Sequence, residues 1–290
     1  MKLNISIIIT TKGYSDHLEK TIRSIEAQRL MPYEIILVSN NNFFKKIKYN
    51  KNLKIKYIYC KIKNQVFQRN RGIDKLSKKS DIILQLDDRI ILEKNCLHQL
   101  TKCWLKADEN TSGIGLNQIR AIKETGLSDK LLKFTNLQGK VFKNGLNLNY
   151  INISKNIEVM WLKGGLSSWK ISKNKRIKNR KYPKWGWCVF EDVDYSLSKK
   201  STEKLLVCSK AKVLIQEQNN KNLYECFHRG SLHSFAQKII VKKHFNKLFY
   251  YNLTIPFIII ISLIISLITF NFNKLFYSLG RLKGIILKYE

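Results

Sequence analysis

Two adjacent carboxylates, Asp87 and Asp88, directly follow the apolar run Asp81–Leu86, whose residue types predict a buried strand. Paired carboxylates at the end of a strand are hard oxygen ligands, suited to Mg²⁺ or Mn²⁺ held together with substrate phosphates. A solvated turn or a helix cap would use the same residue types. Taken alone, the pair therefore indicates either a metal site or an ordinary turn.

Two further clusters of charged residues could do chemistry. Arg69 and Arg71 lie close to Gly72, and the planar guanidinium group matches phosphate and carboxylate geometry, although an ordinary basic helix looks the same. The acidic run 191–194 follows Trp185 and Trp187, and a carboxylate beside aromatic rings suits a general base next to a stacked substrate. The alternative for that run is a helix start, where acids favour the helix dipole.

Two weaker candidates follow from glycine and histidine. Gly164 and Gly165 allow a backbone to approach a ligand closely, or they form a plain turn. His228 precedes Arg229 and could contact a metal or a diphosphate, although a lone histidine is more often a surface or packing residue.

Strands and helices alternate over the first 105 or so residues, which predicts an α/β fold with a doubly wound, mostly parallel sheet. The predicted strands are Ile5–Thr10, Glu34–Ser39, Leu53–Tyr59 and Asp81–Leu86. Ligands of such sheets bind beyond the carboxyl ends of the strands. The polar residues that stand there are Thr10, Thr11, Ser39, Asn40, Asp87 and Asp88. Later in the chain, strands are predicted at 114–120, 158–163 and 205–215, and helices at 191–200 and 231–249.

The composition suits a folded protein with polyanionic partners. Of 290 residues, 44% are hydrophobic and 26% charged, so the chain can bury a core. The net charge of +32 predicts attraction to nucleic acid, an anionic membrane or phosphorylated substrates. The basic residues are scattered and form no focused patch interleaved with aromatics, so nucleic acid is not expected. Six cysteines without metal-ligand spacing, and a start without a secretory signal, predict free thiols in an intracellular protein.

The last fifth of the chain differs in character. Residues 248–273 contain no charge, and 255–270 are nearly all apolar, which is long enough to cross a bilayer. The segment 274–288 is amphipathic and basic, as expected of an interfacial helix beside anionic lipid. Four basic residues flank the apolar run on each side, so the positive-inside rule gives a tie. A full span and a hairpin with both ends on one side both fit.

Taken in order, the motifs SIIIT, QRNRGI, DIILQLDDR and EDVDYSL resemble the family-2 glycosyltransferases over about residues 1–235. The resemblance implies the GT-A fold, a Rossmann-like mixed sheet of nucleotide-diphospho-sugar transferases. It also implies a nucleotide-diphosphate-sugar donor, a divalent metal (Mg²⁺ or Mn²⁺) and transfer to an acceptor hydroxyl with inversion.

The resemblance assigns roles to individual residues. Thr10, Thr11, Ser39, Asn40, Arg69 and Asp87 would bind the nucleotide sugar. Asp87 and Asp88 would hold the metal, with His228 a weaker candidate. Asp192 would be the catalytic base, with Glu191 beside it. Gly164, Gly165, Trp185 and Trp187 would line the acceptor side.

Two positions depart from the family pattern. Ser39 stands where the family usually has an Asp, which implies looser uracil contact or a different base. Arg89 replaces the third acid of the metal motif, so that Asp88 takes over as ligand or Arg89 partly replaces the metal charge at the diphosphate.

The expected organisation is a GT-A domain over 1–240, followed by 241–290 with a basic helix, a membrane segment at about 253–272 and an amphipathic helix. The expected setting is bacterial surface polysaccharide or lipid-linked glycan synthesis at the cytoplasmic face of the inner membrane, with an anionic membrane and a glycan or lipid-linked acceptor as partners. The alternatives are an inactive membrane scaffold of the same fold and a basic nucleic-acid-binding protein.

Overall fold

The computed structural model describes residues 3–43, 47, 49–50, 52–120, 137–173, 189–216 and 222–287. The chain divides into two compact units: residues 1–140, 148–188 and 199–217 form the first, and 141–147, 189–198 and 218–290 the second. This division follows packing and not chain order. It therefore describes something different from the predicted domain boundary near residue 240, which stays a prediction.

The first unit is built on a nine-stranded mixed sheet. Its strands are β1 (Ile5–Thr11), β2 (Glu34–Ser39), β3 (Ile55–Tyr59), β4 (Ile82–Asp87), β5 (Ile90–Leu92), β6 (Thr111–Gln118), β7 (Ile157–Glu158), β8 (Leu166–Lys170) and β9 (Lys204–Ile215). The order is β3-β2-β1-β4-β8-β6-β9-β5, with β7 paired to β9. The strands β3, β2, β1 and β4 are parallel, whereas β8 is antiparallel to both β4 and β6.

Three of the described helices cover this sheet: α1 (Asp16–Glu26), α2 (Gln65–Ile73) and α3 (Cys96–Lys106). Side chains cap the first two helices. The Ser15 hydroxyl accepts a hydrogen bond from the Leu18 amide, and the side-chain oxygen Oδ1 of Asn64 accepts one from the Val66 amide. The apolar stripe of α1 joins one core with the β1 side chains Ile7 and Ile9. On the other face Gly72 of α2 lies close to Ile8, so that the helix backbone approaches the sheet.

The sequence patterns did not predict β8, a central strand of composition LSSWK. Its serines are buried but satisfied: the Ser168 hydroxyl donates to the Ile114 carbonyl at 2.6 Å, and Trp104 Nε1 donates to the Ser168 hydroxyl at 2.9 Å. Hydrogen bonding thus replaces the apolar character that would have identified a buried strand. The strand predicted at 158–163 was also too long, since β7 ends at Glu158.

The second unit is helical. Its elements are α4 (Glu191–Leu197), α5 (Leu223–Ile240), a π-helical turn (Val241–Phe245), α6 (Leu248–Ile268) and α7 (Phe272–Ile286). The single basic helix predicted over 231–249 was wrong, because Asn246 adopts a left-handed backbone conformation (φ 51°) that ends the π-helical turn before α6 begins. The apolar C-terminal helix is confirmed, and it begins at Leu248.

Glycines bring α5 and α7 unusually close together. A Cβ on Gly230 would overlap the Tyr277 carbonyl, and one on Gly280 or Gly284 would overlap backbone carbonyls of α5. The buried side of α7 consists of Ser278, Gly280, Arg281 and Gly284. The apolar side chains of this helix therefore lie on its other faces.

Candidate functional site

The carboxyl ends of β1, β2 and β4 place the predicted polar residues of the first unit at one edge of the sheet. Thr10 pairs in register with Asp87, and Thr11 pairs with Ser39. Paired residues of neighbouring strands point to the same face, so Thr10 and Asp87 share one face while Thr11 and Ser39 share the other.

The Asp87 carboxylate is held in place by α2. Gln65 Nε2 donates to Asp87 Oδ1 at 2.5 Å, and Arg69 Nη2 donates to the same oxygen at 3.1 Å. The Arg69 side chain is 5% exposed and that of Asp87 36% exposed. A buried guanidinium thus orients a carboxylate that stays open to solvent on one side, and the hydrogen bonds leave its other oxygen available to a ligand.

Gly165 packs directly against this carboxylate. The Asp87 amide donates to the Gly165 carbonyl at 3.3 Å. A Cβ at Gly165 would stand well inside 3.0 Å of Asp87 Cγ and of both carboxylate oxygens. Gly165 therefore approaches Asp87 closely, and the role predicted for the glycine pair on the acceptor side stays a prediction. Gly164 precedes it, and its carbonyl accepts from the Ser167 hydroxyl at 3.3 Å.

Asp88 is a partly buried carboxylate in a different environment. Burial raises the pKa of the Asp88 carboxyl; the hydrogen bond with Thr11 opposes this shift, and the charge of Asp87 adds to it. Its backbone carbonyl accepts from the Thr21 hydroxyl at 3.0 Å, which fixes the turn after β4 to α1. The two neighbouring acids therefore differ. Asp87 forms an ion pair with Arg69, whereas burial disfavours the charged form of the Asp88 carboxylate.

In the part of the chain that the structure describes, the Thr10 hydroxyl is buried at this edge without a hydrogen-bond partner. A buried hydroxyl without a partner is destabilising, and a polar ligand would relieve that cost. At the end of β2, Ser39 is already engaged, because its hydroxyl accepts from the Asn41 amide at 3.1 Å. Asn40 follows it, half-buried. The position where the family usually has an Asp thus supports the turn after β2.

The donor chemistry of this edge fits Mg²⁺ or Mn²⁺. The carboxylates of Asp87 and Asp88 are hard oxygen donors of the kind that hold such ions together with substrate phosphates. Across the residues that the structure describes, no three His, Cys, Asp or Glu side chains form a complete ligand set.

The predicted base region belongs to the second unit. Glu191 and Asp192 form the first turn of α4, where Asp192 Oδ1 accepts from the Val193 amide at 2.9 Å. Asp194 instead binds Lys243 Nζ at 2.7 Å and His244 Nε2 at 2.6 Å. Burial alone would raise the pKa of Asp194, but the bonds from His244 and Lys243 outweigh it and lower the pKa.

The other predicted residues are accounted for as follows. Trp185 and Trp187 lie outside the described residues. His228 lies in α5, where its ring stacks on Tyr224 with centroids 6.2 Å apart, and its metal role stays a prediction. Gln65 was not predicted, although its spacing of four from Arg69 puts both on one helix face and could have indicated a shared partner.

Comparisons with known proteins identify the family. A model of the family described as glycosyl transferase family 2 matches residues 6–162, more than half of the chain. No curated protein sequence matches significantly. Among solved structures, GalNAc-T7 with UDP, GalNAc and Mn²⁺ is similar, with a TM-score of 0.52 and 12% identity over 74% of this chain and 44% of that one. TarS of S. aureus has a TM-score of 0.50 and 11% identity over 84% of this chain and 40% of its own.

This chain thus spans less than half the length of either structural relative, and at such identities the likeness concerns the fold. The family match agrees with the order of the sheet, in which polar residues stand at the carboxyl ends of β1, β2 and β4. The chain belongs to glycosyltransferase family 2 and has the GT-A fold.

Proposed function

We propose that the protein transfers a sugar from a nucleotide-diphosphate donor to an acceptor hydroxyl with inversion. The observation that carries this proposal is the edge at β1 and β4. There Arg69 orients Asp87, and the buried Thr10 hydroxyl has no partner within the described ranges. The family match supports sugar transfer as the reaction class.

At the donor end, the first unit binds and orients. Thr10 offers a hydroxyl for the nucleotide, and Asn40 is the half-buried amide that follows β2. Arg69 and Gln65 hold Asp87 in one orientation, so little conformational entropy is lost when a ligand binds to it. A bound Mg²⁺ or Mn²⁺, with Asp87 and Asp88 as its protein ligands, would neutralise charge on the leaving diphosphate. Arg89 follows directly and adds positive charge to this turn.

At the acceptor end, Asp192 is the proposed general base. Among the acids of α4, Asp194 is committed to Lys243 and His244, and its lowered pKa makes it a poor proton acceptor. Glu191 is 4% exposed, whereas Asp192 is more accessible. The acceptor proton moves to the Asp192 carboxylate as the acceptor oxygen attacks the anomeric carbon. A single displacement of this kind inverts the configuration at that carbon.

Membrane attachment through the C-terminal helices belongs to the same proposal. Within the described part of the chain, α6 is the one helix long and apolar enough to cross a membrane by length and composition. Asp194 ties α4 to Lys243 and His244, just before α6 begins. This tie holds the helix of the proposed base near the membrane-binding segment. It supports a lipid-linked or membrane-bound glycan acceptor and synthesis of bacterial surface polysaccharide at the cytoplasmic face.

A donor-hydrolysis screen tests the proposed reaction. The full chain in detergent is incubated with UDP-, GDP-, dTDP- and CMP-sugars, each with Mn²⁺ or Mg²⁺, and nucleotide release is measured. The proposal expects a nucleoside diphosphate from at least one donor. A folded protein that releases nucleotide from none of them would support the inactive scaffold instead. A salt-dependent shift with random oligonucleotides, without any nucleotide-sugar binding, would support a nucleic-acid-binding protein.

A further inference from the structure

One face of α6 is apolar, uncharged and exposed. The helix buries a single stripe along its length, formed by Tyr251, Ile255, Ile259 and Ser266. Nine large apolar side chains on the opposite side are exposed by 41–71%: Phe249, Leu253, Phe257, Ile260, Ile261, Ile264, Ile265, Leu267 and Ile268. Asp, Glu, Lys and Arg are absent from the whole of α6. Continuous apolar surface of this kind marks contact with lipid or another protein.

The neighbouring helices limit how α6 can lie in a membrane. After the turn at Phe270, which has a left-handed backbone (φ 49°), α7 returns along α6, and the Ser262 and Ser278 hydroxyls are hydrogen-bonded at 2.8 Å. The helix α5 packs along α7 in the same direction. Its first turn is near the start of α7, because Cys226 contacts Asn273, and its last turn is near the end, because Lys238 Nζ donates to the Ile285 carbonyl.

This arrangement places charges beside the tip of the hairpin. Glu225 and Arg229, in the first turns of α5, and Lys274, in the first turn of α7, are all exposed. If α6 crossed the bilayer, it would carry these charges into or through the hydrocarbon, at roughly 2.5–3.5 kcal/mol or more for each charge near the centre. In addition, α7 has 15 residues. At about 1.5 Å per residue it reaches roughly 22 Å, short of the bilayer core of about 30 Å.

Positive charge borders the exposed face of α6 at both ends. Lys242 and Lys247 precede α6 and are exposed, and Lys274 follows it and is exposed. Each lysine near an anionic leaflet contributes roughly 1 kcal/mol to binding. Lysines at both ends are complementary to headgroups if both ends stay at one surface.

We infer that the second unit binds anionic lipid in the plane of one leaflet, with the exposed face of α6 inserted and both ends of the helix on the same side. The inference rests on the membrane attachment proposed above and specifies its geometry. The hairpin does not cross the bilayer. The charged first turns of α5 and α7 stay at the headgroups.

Cysteine labelling on vesicles tests this geometry with the full chain. In a background in which Cys60 and Cys188 are serine, Lys247→Cys reports the start of α6 and Thr269→Cys reports its end. The purified protein is added to preformed phosphatidylglycerol–phosphatidylethanolamine vesicles and treated with a membrane-impermeant maleimide. We expect both positions to be labelled from outside, at rates within about twofold of each other. Labelling of Thr269→Cys only after detergent is added would show a crossing helix and overturn the inference.

A charge comparison tests the lipid partner. Combining Lys242→Gln, Lys247→Gln and Lys274→Gln should weaken binding to the anionic vesicles, measured by sedimentation, at least tenfold, since three lysines beside the headgroups are removed. The matched control removes three exposed lysines of the first unit, through Lys75→Gln, Lys78→Gln and Lys79→Gln, and should bind normally. Equal loss in both variants would overturn a lysine contact specific to α6.

Two further outcomes separate failure of the geometry from failure of the attachment. A wild-type chain that stays off vesicles as a stable dimer without detergent would show that a second copy covers α6. A wild-type monomer that stays off vesicles without detergent would refute attachment altogether. Neither result depends on sugar transfer, which the donor screen measures separately.

Discussion

Replacing Gly165 by alanine perturbs the Asp87 carboxylate without changing any charge. The new Cβ would stand well inside 3.0 Å of all three carboxylate atoms, so the carboxylate must retreat by roughly 1 Å. Such a shift breaks the bond from Arg69, now at 3.1 Å, and that from Gln65. Hydrogen bonds to charged groups are worth about 1.5–3 kcal/mol each, so two of them sum to about 3–6 kcal/mol. Because the Asp87 side chain is 36% exposed, water replaces part of that interaction, and we expect a loss of about 2–4 kcal/mol in the free energy of unfolding.

The assay combines urea unfolding with calorimetric binding of UDP, GDP and dTDP in the presence of Mn²⁺. Gly165→Ala should also raise the Kd of the nucleotide that the wild type binds by at least tenfold, since Asp87 is displaced. Gly13→Ala is the matched control, because a Cβ there meets Asn41 at an ordinary 3.5 Å. Wild-type stability and affinity in Gly165→Ala would refute the argument that Asp87 is fixed by this contact.

Three further predictions concern single carboxylates. Asp192→Asn should lower the transfer rate by about 10²–10⁴-fold while nucleotide Kd stays within about twofold, and a near-normal rate would contradict the base assignment. Asp88→Ala should remove most of the gain in donor affinity that Mn²⁺ gives in calorimetry, whereas unchanged metal dependence would place the ion elsewhere. Burial would raise the pKa of Glu34, but bonds from Lys56 and a backbone amide lower it. Glu34→Gln should therefore cost about 1–3 kcal/mol of unfolding free energy at pH 7. The folded protein has the lower Glu34 pKa, so the charged Glu34 side chain stabilises the fold at pH values above its pKa in the unfolded chain. The cost of Glu34→Gln should therefore shrink below about pH 4. A difference in unfolding free energy that does not change with pH would contradict this reasoning.

Most of the parallel half of the sheet could be predicted from the sequence because β1, β2 and β4 are buried on both faces. The runs ISIIIT and EIILVS are mostly β-branched or apolar, and the observed β1 and β2 match them within one residue. The strand β8 could not be predicted in this way, since its buried Ser168 is satisfied by partners from β6 and α3. Those partners become neighbours only in the folded chain.

The site was predictable in its residue types but not in its contacts. The rule that ligands bind beyond the carboxyl ends of parallel strands indicated Thr10 and Asp87. It gave no indication that Arg69 would bind Asp87 or that Gly165 would pack against it, because these partners lie on α2 and at the start of β8. The break at Asn246 was missed for a similar reason, since the surrounding pattern is compatible with a continuous helix.

The central claim, that a nucleotide binds at the edge formed by β1, β2 and β4, is tested most directly by Thr10→Val. This substitution keeps the side-chain shape and removes a buried hydroxyl that has no partner among the described residues. Measured on one preparation, the unfolding free energy should stay equal or rise, because an unsatisfied polar group is removed. The Kd of the nucleotide that the wild type accepts should rise by about tenfold, because the ligand loses a hydrogen bond. An unchanged Kd would contradict the claim and show that the nucleotide binds elsewhere.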